Sequence, residues 1–107
     1  MASDPGYLQF ILDQLNGVEG VSCRAMMGEY LLYMDGRLVG GLYDDRLLVK
    51  DVPAAREKLP AAPHEIPYPG AKPMLLVEDV DDRKALKALF QYLGESLPVP
   101  KKRKDAQ

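Results

Sequence analysis

The stretch RAMMGEYLLYMDGRLVGGLYDDRLLVK, residues 24–50, decides the fold because it alternates β-prone segments with turn residues. The Asp-Gly pair at 35–36 is a strong hairpin signal, since both central positions of such a turn need positive φ. The Asp-Asp pair at 44–45 predicts a second turn, because aspartate hydrogen-bonds to nearby backbone groups. We interpret Gly28 as an interruption of the first strand, where the strand bends or another backbone approaches closely. The stretch therefore predicts a four-stranded antiparallel meander.

The first strand begins before this stretch, at the alternating segment VSCRAMM of residues 21–27. Val21, Cys23 and Ala25 share one face, because successive side chains of a strand point to opposite sides. We expect that face to pack under helices. Cys23 is then predicted to be buried as a small apolar thiol.

The first helix is predicted over residues 5–16, between Asp4 and Gly17. Asp4 can cap the free N–H groups, and the proline that follows fits the first helical position. Gly17 offers a left-handed stop. Asp51 is predicted to cap a second, short helix over residues 52–59.

Residues 60–73 contain five prolines and predict an extended connection with a short edge strand near Ile66. A last strand, MLLVE, follows at residues 74–78. The third helix is predicted to open at Asp79 or Asp81 and to close at Gly94. Its apolar stripe consists of Leu86, Leu89, Phe90 and Leu93.

This order of elements predicts one α+β domain over residues 1–97, a two-layer sandwich with helices on one face of an antiparallel sheet. The order is a helix, a four-stranded meander, a short helix, a further strand and a C-terminal helix. Residues 98–107 are predicted to form a disordered basic tail. An antiparallel sheet with an uncovered face or edge often associates, so we expect a homodimer as a secondary feature.

Charge is unevenly distributed along the chain. The net charge is −2, but residues 1–100 hold ten bases and fifteen acids. An acidic body repels phosphate backbones, so nucleic acid could be bound only weakly, through the tail residues Lys101, Lys102, Arg103 and Lys104. The alternative to a solvated tail is therefore a nucleic-acid-associated protein with little sequence preference.

The N-terminus lacks the basic and apolar regions of a secretory signal, and no apolar run is long enough to span a membrane. A single cysteine fits a reducing compartment. We therefore expect a cytoplasmic protein with no membrane partner.

Candidate catalytic residues are few. Cys23 and His64 could form a nucleophile and base if the fold joined them, and Asp44 with Asp45 could act as acid and base or hold Mg²⁺. The favoured interpretations are a buried cysteine, a loop histidine and a turn-forming aspartate pair. No cluster has zinc-ligand spacing. We expect a non-enzymatic protein without cofactor or metal.

Three segments, RAMMGEYLLYMDGRLVG, YDDRLLVK and YPGAKPM, resemble the N-terminal domain of the TfoX/Sxy competence regulators over about residues 20–78. The pattern falls on Arg24, Met27, Gly28, Tyr30, Tyr33, Gly36, Asp45, Leu47, Lys50, Tyr68, Lys72, Pro73 and Met74.

The resemblance implies a compact α+β fold and a regulatory role without catalysis. Full-length members promote expression of DNA-uptake genes together with the cyclic-AMP receptor protein. The sequence here has no second, helical domain like theirs, so we expect a stand-alone domain rather than competence control.

A protein partner is expected, but its identity is open. Arg24 and Lys50 flank turns that carry Asp35, Asp44 and Asp45. These charges can either lock the hairpin corners as ion pairs or form a patch that receives the partner. The candidate binding or structural residues are Arg24, Met27, Gly28, Tyr30, Asp44, Asp45, Lys50 and Lys72.

Overall fold

The structure is a computed structural model that describes residues 3–97. The predicted tail lies outside the described residues. The elements are α1 (Pro5–Gln14), β1 (Val21–Met26), β2 (Glu29–Met34), β3 (Arg37–Leu42), β4 (Leu47–Val49), α2 (Pro53–Lys58), β5 (His64–Glu65), β6 (Met74–Leu76) and α3 (Arg83–Ser96). The predicted α+β class and element order are confirmed.

The strands form one antiparallel sheet in the order β1-β2-β3-β4-β6-β5. The first four strands form the predicted meander. β6 then pairs beside β4, and the two-residue β5 becomes an edge strand just before Ile66, close to its predicted position. β1 is the other edge of the sheet.

Three tight turns join the strands of the meander, at residues 27–28, 35–36 and 44–45. Both central residues of each turn have positive φ, which is the pattern of a type I′ hairpin turn. The interpretation of Gly28 as a bend or a close backbone approach in the first strand is wrong, because it is the second residue of such a turn. The φ values are 52° at Met27, 88° at Gly28, 52° at Asp35, 80° at Gly36, 54° at Asp44 and 58° at Asp45.

The core lies between one face of the sheet, here called the inner face, and the helices. The sheet contributes apolar side chains from β2, β3, β4 and β6, and α1 and α3 cover them. The fully buried side chains of this core include Ile11, Leu32, Val39, Leu42, Leu47, Val49, Ala55 and Phe90. A two-layer arrangement follows, because the helices lie on this face alone.

The helix caps follow the sequence in part. Asp4 caps α1 as predicted, and its side chain accepts a hydrogen bond from the Gly6 N–H. Asp51 does not cap α2, since Val52 occupies the cap position. α3 is capped by Asp82, whose carboxylate accepts from the Ala85 N–H, rather than by Asp79 or Asp81.

The third helix does not end at Gly94. α3 continues to Ser96, and Gly94 is buried where a Cβ would lie 3.1 Å from the terminal methyl of Met34. The carbonyl of Gly94 also accepts a hydrogen bond from the guanidinium of Arg37. This glycine therefore allows close approach between α3 and the β2–β3 hairpin, and a helix stop is not its role.

Cys23 is exposed, so the prediction that it is buried is wrong. Every residue of β1 after Val21 is exposed. Strand alternation gives the side on which a side chain points, but the helices do not extend over the sheet edge where β1 lies.

Among the described residues, none of the helices has the length and apolar character needed to span a bilayer.

Gly40 lies where a side chain would collide with the backbone of the neighbouring strand. A Cβ built on Gly40 would lie 2.1 Å from the Leu48 carbonyl oxygen and 2.7 Å from the Val49 Cα. These atoms belong to the neighbouring strand and cannot rotate away. We therefore expect Gly40→Ala to lower the free energy of unfolding by about 1–3 kcal/mol, as measured by urea denaturation.

The matched control is Gly6→Ala in the first turn of α1. A Cβ there meets nothing closer than 3.6 Å, so we expect a neutral or slightly stabilising effect. Equal stability of the two variants would contradict the close approach at Gly40.

Candidate functional site

The aspartate pair at the β3–β4 turn holds the N-terminal segment in place. The Ser3 hydroxyl donates to Glu29 Oε1 at 2.8 Å and accepts from the Asp45 N–H at 3.1 Å. Asp45 Oδ1 accepts from the Asp4 N–H at 2.7 Å, and the Asp44 N–H donates to Glu29 Oε1 at 3.2 Å. These contacts support the interpretation of the pair as turn formers with a structural role.

Of the two alternatives for the hairpin corners, the ion pairs do not form. Within residues 3–97, neither Arg24 nor Lys50 makes a salt bridge with Asp35, Asp44 or Asp45. Arg24 is exposed on the edge strand, far from the β4 end that carries Lys50. The β3–β4 corner is held by hydrogen bonds to backbone N–H groups instead.

The candidate nucleophile and base are not brought together. Cys23 lies on β1 and His64 on β5, which are opposite edges of the six-stranded sheet. Five inter-strand spacings of about 4.8 Å separate them, or about 24 Å. Within residues 3–97, no three His, Cys, Asp or Glu side chains are grouped so as to hold a metal ion.

The other face of the sheet, here called the outer face, carries an open groove of about 720 Å³. Its floor and one wall come from β3, β6 and the residues after β4, and its other wall is the loop of residues 66–73. Apolar side chains line most of it. They are Leu38, Val52, Pro67, Ala71, Pro73 and Met74.

Polar groups lie at defined places around this groove. Tyr43 is 5% exposed, and its ring packs over Gly41 and lies 6.1 Å from the ring of Tyr68. Burial, with added repulsion from the neighbouring Tyr68, raises the pKa of Tyr43, so its hydroxyl remains protonated at neutral pH. Lys50 and Lys72 place two amines along the groove, and Lys72 is exposed.

Asp51 lines the same groove, but its carboxylate is already engaged. Its Oδ1 accepts from Arg56 Nε at 2.6 Å, and its Oδ2 lies 3.0 Å from His64 Nε2. The hydrogen bond from Arg56, and then that from His64, lower the pKa of Asp51. Lys50 and Lys72 are therefore the groove charges that take part in none of the ion pairs of residues 3–97.

The base of the 66–73 loop is anchored by Arg46. Its Nη1 donates to Glu65 Oε1 at 2.8 Å, and its Nε donates to the Tyr43 carbonyl at 3.0 Å. This links the β3–β4 turn to the far edge of the sheet.

The sequence predicted part of this site. Of the candidate residues, Lys50 and Lys72 lie at the groove, whereas Arg24, Met27, Gly28, Tyr30, Asp44 and Asp45 do not line it. Tyr43 and Tyr68 were not among the candidates. The signal that could have indicated them is the long proline-rich loop, since long loops in compact domains often have a function.

Three of the remaining candidates have other positions. Met27 is 97% exposed at the tip of the β1–β2 turn, with Gly28 beside it. Tyr30 is half-buried and packs against the core on the inner face. None of these three residues contacts the groove.

Comparison with known proteins gives one family and one curated relative. The model of the TfoX N-terminal domain matches residues 13–92. The chain is also 38% identical over 105 residues to an uncharacterized 12.7 kDa protein in the trpE 5′ region of Spirochaeta aurantia, covering 97% of this chain and 91% of that protein. No solved structure gives a significant match.

The lowered pKa of Asp51 predicts how stability depends on pH. Its contribution is fully present above the unfolded-state value of about 3.9 and is lost as the pH falls through the lower folded-state value. Asp51→Asn should therefore be less stable than the wild type at pH 7, with the gap closing below about pH 4. Urea midpoints at a series of pH values measure this gap.

The control introduces Arg56→Met into both the wild type and the Asp51→Asn variant and compares their stabilities again. Arg56 is the first cause of the shift, so the stability lost through Asp51→Asn should be smaller in that background. A stability gap that is independent of pH would show that the carboxylate charge does not stabilise this corner.

Proposed function

The chain belongs to the TfoX N-terminal domain family, and on this premise we propose that it is a non-enzymatic regulatory domain that binds a protein partner. The observation that carries the proposal is that two family segments build one groove. Residues 43–50 supply Tyr43 and Lys50, and residues 68–74 supply Tyr68 and Lys72. Segments about twenty positions apart thus converge on one surface.

The groove has the properties of a site for an extended protein segment. Its volume falls within the usual range for binding sites, and its walls are mostly apolar with a few polar groups. Because it is open to solvent, an extended chain can lie in it. Apolar side chains of the partner would contact Leu38, Val52 and Met74.

The charges indicate the chemistry of this partner segment. Lys50 and Lys72 are amines in a body that is otherwise acidic. The Asp51 carboxylate competes little with an acidic ligand for these two amines, because Arg56 and His64 already pair with it. The segment is therefore proposed to carry a carboxylate beside an apolar residue.

The absence of catalysis is part of the proposal. It is supported by the separation of Cys23 from His64, which places a nucleophile and the only histidine at opposite edges of the sheet. The regulatory role and the cytoplasmic location rest on the family and on the reducing compartment that a single cysteine fits. Control of transcription would then act through the bound partner.

The test is selection of peptides from a random phage-displayed library on the intact chain, followed by affinity measurement. We expect enriched peptides with an acidic residue next to an apolar one. Lys50→Glu together with Lys72→Glu should weaken their binding about tenfold or more, since two attractive charges become repulsive.

The matched control carries Lys84→Glu and Lys87→Glu on α3, on the opposite side of the sheet. It makes the same change in net charge and should bind the peptides as the wild type does. Equal loss in both double variants would reveal a general charge effect and contradict binding in the groove.

The alternative function is distinguished with a chain that ends at Val99. If the intact chain binds a random-sequence duplex DNA and loses it on this truncation, with steep salt dependence, the tail residues 101–104 bind nucleic acid. Failure to enrich any groove-dependent peptide, together with that result, would replace the proposed function by the nucleic-acid one.

A further inference from the structure

The free edge of the sheet at β1 is a second surface, separate from the groove. We propose that β1 pairs antiparallel with β1 of a second copy, joining two sheets into one across a two-fold axis. β1 pairs within the described chain with β2 alone, so one side of its backbone has no strand partner there. This edge lies two strands away from the nearest strand that lines the groove.

β1 lacks the features that protect edge strands from pairing. Such strands are commonly short, bulged, charged or interrupted by proline. β1 has six residues in unbroken register with β2, contains no proline and carries one charge, on Arg24. The opposite edge, β5, has two residues and lies between Pro63 and Pro67. The two edges therefore differ in their readiness to pair.

The backbone groups that face outward follow from one hydrogen bond. The Asp35 N–H donates to the Gly20 carbonyl at 2.9 Å, so position 20 directs its backbone towards β2. In an antiparallel pair this direction alternates along the strand. Val21, Cys23 and Ala25 therefore present their N–H and C=O groups to the open side.

These outward groups select one register. Consider a two-fold pair in which the inner faces of both sheets lie on the same side. Each odd-numbered residue of β1 then lies opposite an odd-numbered residue of the second copy. The two-fold axis must therefore pass beside Ser22, Cys23 or Arg24. With the axis at Cys23, Val21 meets Ala25 of the second copy and about six backbone hydrogen bonds form. An axis at Ser22 or Arg24 allows about four.

Side chains favour the same register. At the axis, Cys23 lies opposite Cys23 of the second copy, and Val21 lies opposite Ala25, so small apolar side chains meet on the inner face. On the outer face Arg24 lies opposite Ser22. An axis at Arg24 would instead place two like charges directly opposite each other, which is destabilising.

The test begins with sedimentation equilibrium of the intact chain at micromolar to hundred-micromolar concentrations. We expect a dimer, of twice the 11.9 kDa chain mass. Cys23→Lys places two amines opposite each other at the axis and should weaken dimerisation at least tenfold. Cys23→Ser is the matched control and should remain a dimer.

A second variant, Ala25→Pro, removes an outward N–H. The β1–β2 pair loses no hydrogen bond, because the Ala25 N–H points away from β2. Proline is tolerated at such positions of an edge strand. We expect a monomer that keeps the wild-type circular dichroism spectrum and cooperative urea unfolding.

Cross-linking tests the register. Cys23 is the single cysteine, so a short bismaleimide should join two wild-type chains efficiently. The control combines Cys23→Ser with Ala88→Cys, an exposed position on α3, and should not cross-link.

A wild-type chain that sediments as a monomer across the whole range would overturn the proposal. So would a dimer that survives both Cys23→Lys and Ala25→Pro, since a different surface would then hold it. Peptide binding in the groove is measured separately, so either proposal can fail while the other holds.

Discussion

The structure depends on three tight turns in which two successive residues adopt positive φ. Each turn returns the chain after two residues and so fixes the pairing at the turn end of each hairpin. In the β2–β3 pair the register then shifts by one residue between Leu32 and Tyr33, at a β-bulge. A shift of one residue would move every side chain of a strand to the wrong face of the sheet. The division into an apolar inner face and a groove-bearing outer face therefore follows from these corners together with the bulge in the β2–β3 pair.

Non-glycine residues at four of these six positions make the corners costly, and the surrounding contacts offset the strain. Met27, Asp35, Asp44 and Asp45 all have φ between 52° and 58°. Aspartate tolerates this region better than most residues, since its short side chain can bond to nearby backbone groups. At the β3–β4 turn, Ser3, Glu29 and Asp4 add hydrogen bonds that hold the strained backbone.

The sequence predicted the features that depend on interactions between residues close together in the chain. The Asp-Gly turn, the cap at Asp4 and the apolar stripe of α3 were all predictable, because each depends on residues within a few positions. The exposure of Cys23 was not, since it depends on where the helices end relative to the sheet edge. The cap at Asp82 was missed for a related reason: three aspartates within four positions can each start a helix, and tertiary packing selects one.

The groove could not be predicted as a site, because it forms only when β6 pairs beside β4. That pairing carries the 66–73 loop back across the outer face and sets Tyr68 near Tyr43. Gly41 lies under this groove, and a Cβ there would meet the Tyr30 carbonyl oxygen at 2.5 Å and the ring of Tyr43 at 3.0 Å.

A side chain at position 41 would thus displace either the sheet backbone or the Tyr43 ring that lines the groove. The two glycines of β3 have different tasks. Gly40 allows β4 to approach, which the core requires, whereas Gly41 makes room for Tyr43. The floor of the groove is therefore shaped in part by the same strand whose glycines let the neighbouring strands approach, whereas its other wall is the 66–73 loop.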